Sequence, residues 1–290
     1  VTPLLFSIPG TIVHMGHFLP AFSALICCFA LLGCSPTPPS GTATTSSSGS
    51  STSVAPVSNV ERLSVEVVAT HPFDPETFTQ GLEVDEDGTL LVSHGTYRHS
   101  GIYRRTLDGT ATVSSAIGDE YFGEGLTRVG DTIWMLTWKE HTAFRIDPQS
   151  LKPIDTVSYP GEGWGLCSTD STIFMSDGTS TLTERDPQTF EELRRVNVTL
   201  SGAPVSKLNE LSCAPDGSIY ANVFLTNEIV RIDPATGTVT GLIDASGLRP
   251  VDATDPNAVL NGIAHIPGTD RFYLTGKLWP IMYEVRFVPE

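Results

Sequence analysis

Gly81-Leu82-Glu83-Val84 returns as Gly125-Leu126-Thr127, as Gly165-Leu166-Cys167, as Glu210-Leu211-Ser212-Cys213 and as Gly262-Ile263-Ala264. Each copy sets a small residue (Glu in the fourth) before a branched apolar anchor. A short strand-like run, a turn and a second run follow. The anchors Leu82, Leu126, Leu166, Leu211 and Ile263 are spaced by 44, 40, 45 and 52 residues. A second phrase falls later in the period: Arg145-Ile146-Asp147-Pro148, Arg185-Asp186-Pro187 and Arg231-Ile232-Asp233-Pro234, with Thr106-Leu107-Asp108-Gly109 as a looser copy. Asp-Pro starts a turn, because Pro fixes φ and the Asp side chain bonds the local backbone. Between anchors the sequence alternates in short runs and shows no amphipathic helix. Four strands in about 40–50 residues make one propeller blade. Five anchors therefore predict an all-β fold, a five-bladed β-propeller, with an irregular β-sandwich as the competing reading. The last period holds three strands, Gly262–Ile266, Arg271–Thr275 and Ile281–Phe287. The alternating segment Leu63–Val68 is predicted to supply the fourth and to close the ring without a free edge.

Upstream of the repeats the chemistry changes. Residues 1–60 contain no Asp, Glu, Lys or Arg, so all 17 basic and 33 acidic residues lie in the body. A net charge of −16 argues against nucleic acid, which calls for a basic stripe, and against docking on anionic lipid through a basic patch. Phe18–Gly33 is an apolar run of 16 residues. It is short for a membrane-spanning helix, which needs roughly 20 residues, and better matches a signal-peptide core. Leu31-Leu32-Gly33-Cys34 resembles a lipobox with Cys34 as the lipidated residue, although no basic residue precedes the run. The Ser/Thr/Pro-rich stretch that follows has too little apolar surface for a core and reads as a tether. The chain thus divides into a signal at 1–34, a tether at 35–61 and a propeller at 62–290. The expected location is the cell envelope, exported and lipid-anchored, with a soluble periplasmic or secreted form as the alternative. Membrane contact is expected only through Cys34, and a monomer is expected. Of the five Cys, only Cys167 and Cys213 lie in the body. Their positions in the repeat differ by one residue, which points them to opposite sheet faces; buried free thiols are expected rather than a disulfide.

Equivalent positions of a propeller lie at one level around its axis. The residues just before the inner strands, Gln80, Glu124, Trp164, Asn209 and Asn261, are therefore expected to gather at one mouth. Trp138, Asp177, Phe224 and Lys277 end the second strands and return to the same rim, with Trp279 close behind. Three of the four Trp would then surround one carboxylate, a polar group in an apolar cup. Burial there raises the pKa of Glu124 towards general acid/base use, with Lys277 opposing the shift. No His/Cys cluster has metal-ligand spacing, so neither metal nor cofactor is expected. A structural cation in the central channel is compatible with this reading.

The same phrases carry a resemblance. They include Phe78-Thr79-Gln80-Gly81-Leu82-Glu83, Tyr121-Phe122-Gly123-Glu124-Gly125-Leu126-Thr127, Leu136-Thr137-Trp138 and Gly161-Glu162-Gly163-Trp164-Gly165-Leu166. Met175-Ser176-Asp177-Gly178, Leu208-Asn209-Glu210-Leu211, Tyr220-Ala221-Asn222-Val223, Val259-Leu260-Asn261-Gly262-Ile263-Ala264 and Thr275-Gly276-Lys277-Leu278-Trp279-Pro280 follow in order. Over residues 64–288 the chain resembles the plant and bacterial glutamine cyclotransferases (glutaminyl-peptide cyclotransferases). The resemblance implies a five-bladed propeller that converts N-terminal Gln of peptides and proteins to 5-oxoproline with release of ammonia. It implies an acid/base role for Glu124 and a pocket lined by Gln80, Trp138, Trp164, Asn209 and Lys277, with Phe224 standing where the family usually has Trp. A second departure is Val92-Ser93-His94-Gly95, where the family usually has Glu-Ser-Thr-Gly; it reads as a carboxylate lost near the rim. Two rival readings are a non-catalytic peptide-binding propeller and a glycosidase that pairs Glu124 with Asp177.

Overall fold

The computed structural model describes residues 60–290. The expected signal, the expected lipidation site Cys34 and nearly all of the expected tether lie outside the described residues. Among those described, 22 β-strands and one short 3-10 turn carry the structure. Strand β1 spans Glu61–Pro72. A first four-strand run comprises β2 (Thr79–Val84), β3 (Leu90–His94), β4 (Gly101–Arg105) and β5 (Ala111–Ala116). The second comprises β6 (Gly123–Val129), β7 (Thr132–Thr137), β8 (Thr142–Ile146) and β9 (Pro153–Ser158). The third is β10 (Leu166–Ser168), β11 (Ile173–Met175), β12 (Thr181–Arg185) and β13 (Glu192–Asn197). A small hairpin, β14 (Thr199–Leu200) and β15 (Ala203–Pro204), precedes β16 (Leu208–Cys213), β17 (Ile219–Val223), β18 (Glu228–Asp233) and β19 (Thr238–Asp244). The chain ends with β20 (Leu260–His265), β21 (Arg271–Gly276) and β22 (Ile281–Pro289).

The first three runs are separate antiparallel sheets, each in simple chain order. The fourth and fifth share one sheet, in the order β16-β17-β18-β19-β1-β22-β21-β20. Strand β1 is the fourth strand of the last run, antiparallel to β22 from Leu63↔Pro289 to Pro72↔Ile281. It also pairs in parallel with β19 from Glu61↔Gly241 to Ser64↔Asp244, a seam the repeat pattern does not announce. The innermost strands contact one another in the cycle β2, β6, β10, β16, β20 and back to β2. The fold is all-β and propeller-like.

Burial follows distance from the axis. Every residue of β7 is buried, whereas β5 alternates between exposed and half-buried positions. Inner strands have a neighbouring sheet on both faces, so continuous apolar runs suit them. All five anchors are 2% exposed or less. The Asp-Pro turns close as their chemistry requires: Asp147 Oδ1 accepts from the Ser150 amide, Asp186 Oδ1 from Gln188 and Asp233 Oδ1 from Ala235.

Two expectations are corrected. Cys167 and Cys213 form a disulfide, with Cα atoms 5.4 Å apart. The one-residue offset separates them only on a single sheet, and they belong to different, adjacent sheets. One face of a sheet packs on the opposite face of the next, so side chains pointing to opposite faces of their own sheets point at each other. Val92 is fully buried among Leu82, Leu90 and Phe73. It belongs to the core, and the departure there is not a carboxylate missing from the rim.

Candidate active site

Four inner strands break register at the same place. The irregularities fall between Thr79 and Leu82, Gly123 and Leu126, Leu208 and Leu211, and Leu260 and Ile263. A bulge adds a residue to one strand and re-aims its side chain. Gln80, Glu124, Asn209 and Asn261 lie in these bulges, and the sequence repeat therefore delivers them at one level. Glycine follows three of them and Trp164, and it lets the inner strands approach closely. A Cβ on Gly125 would come within 2.6 Å of Gly165 Cα, a separation that real side chains do not tolerate.

The ring is stitched across sheets. Ser93 Oγ donates to the Glu124 carbonyl at 2.6 Å, the Gly125 amide to the Trp164 carbonyl at 2.7 Å, and Ser176 Oγ to the Asn209 carbonyl at 2.6 Å. Asn209 Nδ2 donates to Asn261 Oδ1 at 2.6 Å. Asn261 Nδ2 donates to the Thr79 carbonyl at 2.9 Å and to Gln80 Oε1 at 3.1 Å. Lys277 Nζ donates to the same Gln80 oxygen at 2.9 Å. Gln80, Asn209, Asn261 and Lys277 thus form one buried network.

The rim forms by a second repeated device. Backbone amides just after the second strands bond back in four of the five runs: Gly95 to the Phe78 carbonyl, Trp138 to Phe122, Phe224 to Lys207 and Lys277 to Val259. These bonds bring Trp138, Phe224 and Lys277 to equivalent places. Trp138 meets Phe122 edge-on at 5.5 Å, and Trp164 meets Phe224 edge-on at 5.4 Å. Lys277 Nζ sits 4.6 Å from the Phe78 ring centroid and 5.3 Å from that of Phe224. Part of the aromatic surface therefore already faces a resident ammonium. Trp279 does not join the cup. It is 1% exposed, donates to the Ala258 carbonyl and packs in the core with Leu260 and Tyr283. Asp177 is folded back on its own turn, accepting from Thr179.

Glu124 is buried, and among the described residues its carboxyl receives no hydrogen bond. Burial holds that carboxyl well above the ordinary range. The Lys277 charge draws it down, and Glu140 and Glu162 push it up. Burial in turn lowers the Lys277 pKa, which Glu124 and Glu210 pull back up.

Several site residues escaped the sequence reading. Phe78, Phe122 and Glu162 each stand two residues before a ring residue, and that shared position was the available signal. Glu210 occupies the place that is Gly81, Gly125, Gly165 or Gly262 in the other copies. It is 1% exposed. Neither of its oxygens has a hydrogen-bond partner of good geometry, and the Leu82 backbone N–H is only a partial counterweight. Burial, then the charge of Glu124, push its carboxyl well up.

Fold and site together define a propeller-like all-β protein with a bulge-built polar ring, two buried carboxyls without side-chain donors, Glu124 and Glu210, and an aromatic rim. The glutamine cyclotransferase family model matches residues 40–287, and the chain belongs to that family. It is 36% identical over 233 residues to a glutaminyl-peptide cyclotransferase of Arabidopsis thaliana, covering 77% of this chain and 71% of that protein. It also matches the crystal structure of Myxococcus xanthus glutaminyl cyclase at 37% identity and TM-score 0.75, covering 80% of this chain and 99% of that one.

Proposed function

We propose that this protein cyclises N-terminal glutaminyl residues of peptides to 5-oxoproline and releases ammonia, as an acyltransferase that acts within one substrate molecule. Family membership supports the reaction. The observation that carries the residue roles is Glu124: a buried carboxyl with a raised pKa, no donor of its own, and an amide network with Lys277 beside it. In this reading the five four-strand runs are the five blades of a propeller.

The substrate brings both nucleophile and electrophile. Its side chain has to curl so that the α-nitrogen meets the amide carbon, and a pocket that holds that curl supplies the entropic advantage of an intramolecular reaction. Glu124 takes a proton from the α-ammonium. The freed amine attacks the amide carbon, and a C–N bond forms while the carbonyl oxygen gains charge. Glu124 then returns its proton to the departing nitrogen as the second C–N bond breaks, and the surplus proton left on the ring nitrogen passes to the released ammonia, which leaves as ammonium beside the neutral lactam. Glu124 ends as it began, so a single carboxyl suffices. Lys277, Gln80 and Asn209 orient the amide and meet the oxygen as charge develops. Trp138, Trp164 and Phe224 exclude water and hold the ammonium.

Ammonia release from a Gln-initiated peptide, coupled to detection of a blocked N-terminus, tests the reading. A stoichiometric yield of both is expected from the purified protein. Their absence sinks it and favours a binding propeller.

A further inference from the structure

Glu162 has no part in the proton transfers above, yet both pocket indoles depend on it. Its Oε2 accepts from Trp138 Nε1 at 2.8 Å and from Trp164 Nε1 at 3.0 Å. Its other oxygen lies 3.6 Å from Lys139 Nζ, which sits 3.8 Å from the centroid of the Trp138 ring. An indole N–H is a donor with no acceptor capacity. The two core indoles spend theirs on backbone carbonyls, Trp134 on Pro187 and Trp279 on Ala258. The two pocket indoles instead share one carboxylate oxygen, although they come from different sheets.

The rest of each wall is already constrained. Trp138 abuts Phe122; Trp164 abuts Phe224 and lies against Gly178, where a Cβ would come within 2.6 Å of the ring. The spacing between the two walls remains to be set, and bonds to a charged acceptor are the stronger kind. Glu162 also stands close enough to bear on the ionisation of Glu124, so its charge faces the mouth where an ammonium enters.

We propose that Glu162 is a positioning residue whose single oxygen fixes the separation of the Trp138 and Trp164 walls, and with it the binding of the substrate's N-terminal residue. This inference rests on the proposed cyclisation. The test compares Glu162→Ala and Glu162→Gln with the wild type on one uncharged Gln-initiated peptide, alongside intrinsic tryptophan emission. Glu162→Ala is expected to raise KM on the order of tenfold, the equivalent of one charge-assisted hydrogen bond, with kcat within about threefold. Glu162→Gln keeps an acceptor oxygen and is expected to recover most of that KM. Trp134 and Trp279 keep their carbonyl partners, so an emission shift in Glu162→Ala that Glu162→Gln lacks reports the two walls. An unchanged KM in Glu162→Ala overturns the proposal whatever the emission does. An equal loss of kcat in both variants also overturns it, because Glu162 would then act in the chemistry itself. A wild-type protein that cyclises nothing instead sinks the proposed function, which separates the two failures.

Discussion

The two ends of the ring hold carboxyls in opposite chemical company. At the far end Glu83 accepts from Thr127 Oγ1 at 2.7 Å and from the Arg128 amide at 2.9 Å. Its neighbour Asp85 is clamped between Arg104 and Arg128. At the near end Glu124 has no donor, and only Lys277 offsets its burial. A broad depression opens at the far end, lined by Glu83, Asp85, Arg128, Ser168, Ser212 and His265. A depression alone would place the site there. The proposed function uses the other end, because the Glu83 oxygens are already occupied by donors, whereas Glu124 is buried and accepts from none.

The sharpest way to break this comparison is to neutralise one carboxyl at each end. Glu124→Gln is expected to lower kcat/KM by about 10²–10⁴-fold, the usual worth of a general acid/base, with an unchanged melting temperature. Glu83→Gln should leave kcat within a few fold. Equal losses in the two would erase the distinction.

Stability offers a second test, with the opposite ranking. Burial, only partly offset by its hydrogen bonds, pushes the Glu83 carboxyl up to about 7 from 4.5. A carboxyl whose folded pKa is raised stabilises the fold below its unfolded pKa, and that contribution is lost as pH rises through the folded pKa. The unfolding free energy of Glu83→Gln relative to wild type should therefore improve between pH 4.5 and 8, by about 3 kcal/mol. Denaturant melts across that range check it; a pH-independent difference would refute it. Removing the far-end disulfide by Cys167→Ser and Cys213→Ser together should cost about 2–4 kcal/mol for a loop of this length and leave kcat unaltered.

The near end is sharpened by smaller effects. Lys277→Met removes the charge that favours ionised Glu124, so the acidic limb of the kcat/KM profile should move to higher pH. A limb that stays in place would mean that Lys277 does not govern Glu124. Phe224→Trp restores an indole donor beside Lys277 and Trp164, and a rise of about two- to fivefold in kcat/KM is expected for one neutral hydrogen bond. No change would mark the departure as tolerated.

Much of this was legible because a repeat is a ruler. Anchor spacing located every inner strand, and the same count placed Gln80, Glu124, Asn209 and Asn261 at one level. The reading failed where equivalence along the chain does not mean equivalence in space. Trp279 follows Lys277 by two residues yet turns into the core. Cys167 and Cys213 were compared as if on one sheet, although the contact between sheets decides their pairing. Glu210 stands where the other four copies have glycine, and it is the one side chain that this ring position carries.

The sequence by itself determined the β-architecture, the ring residues and the location of the charge, because periodicity and composition are local properties. Only the tertiary structure decided which carboxyl has donors, which indoles share Glu162, and that β1 joins the fourth and fifth runs into one sheet. Hydrogen bonds and burial of that kind depend on residues brought together from distant parts of the chain, and no spacing along the sequence encodes them.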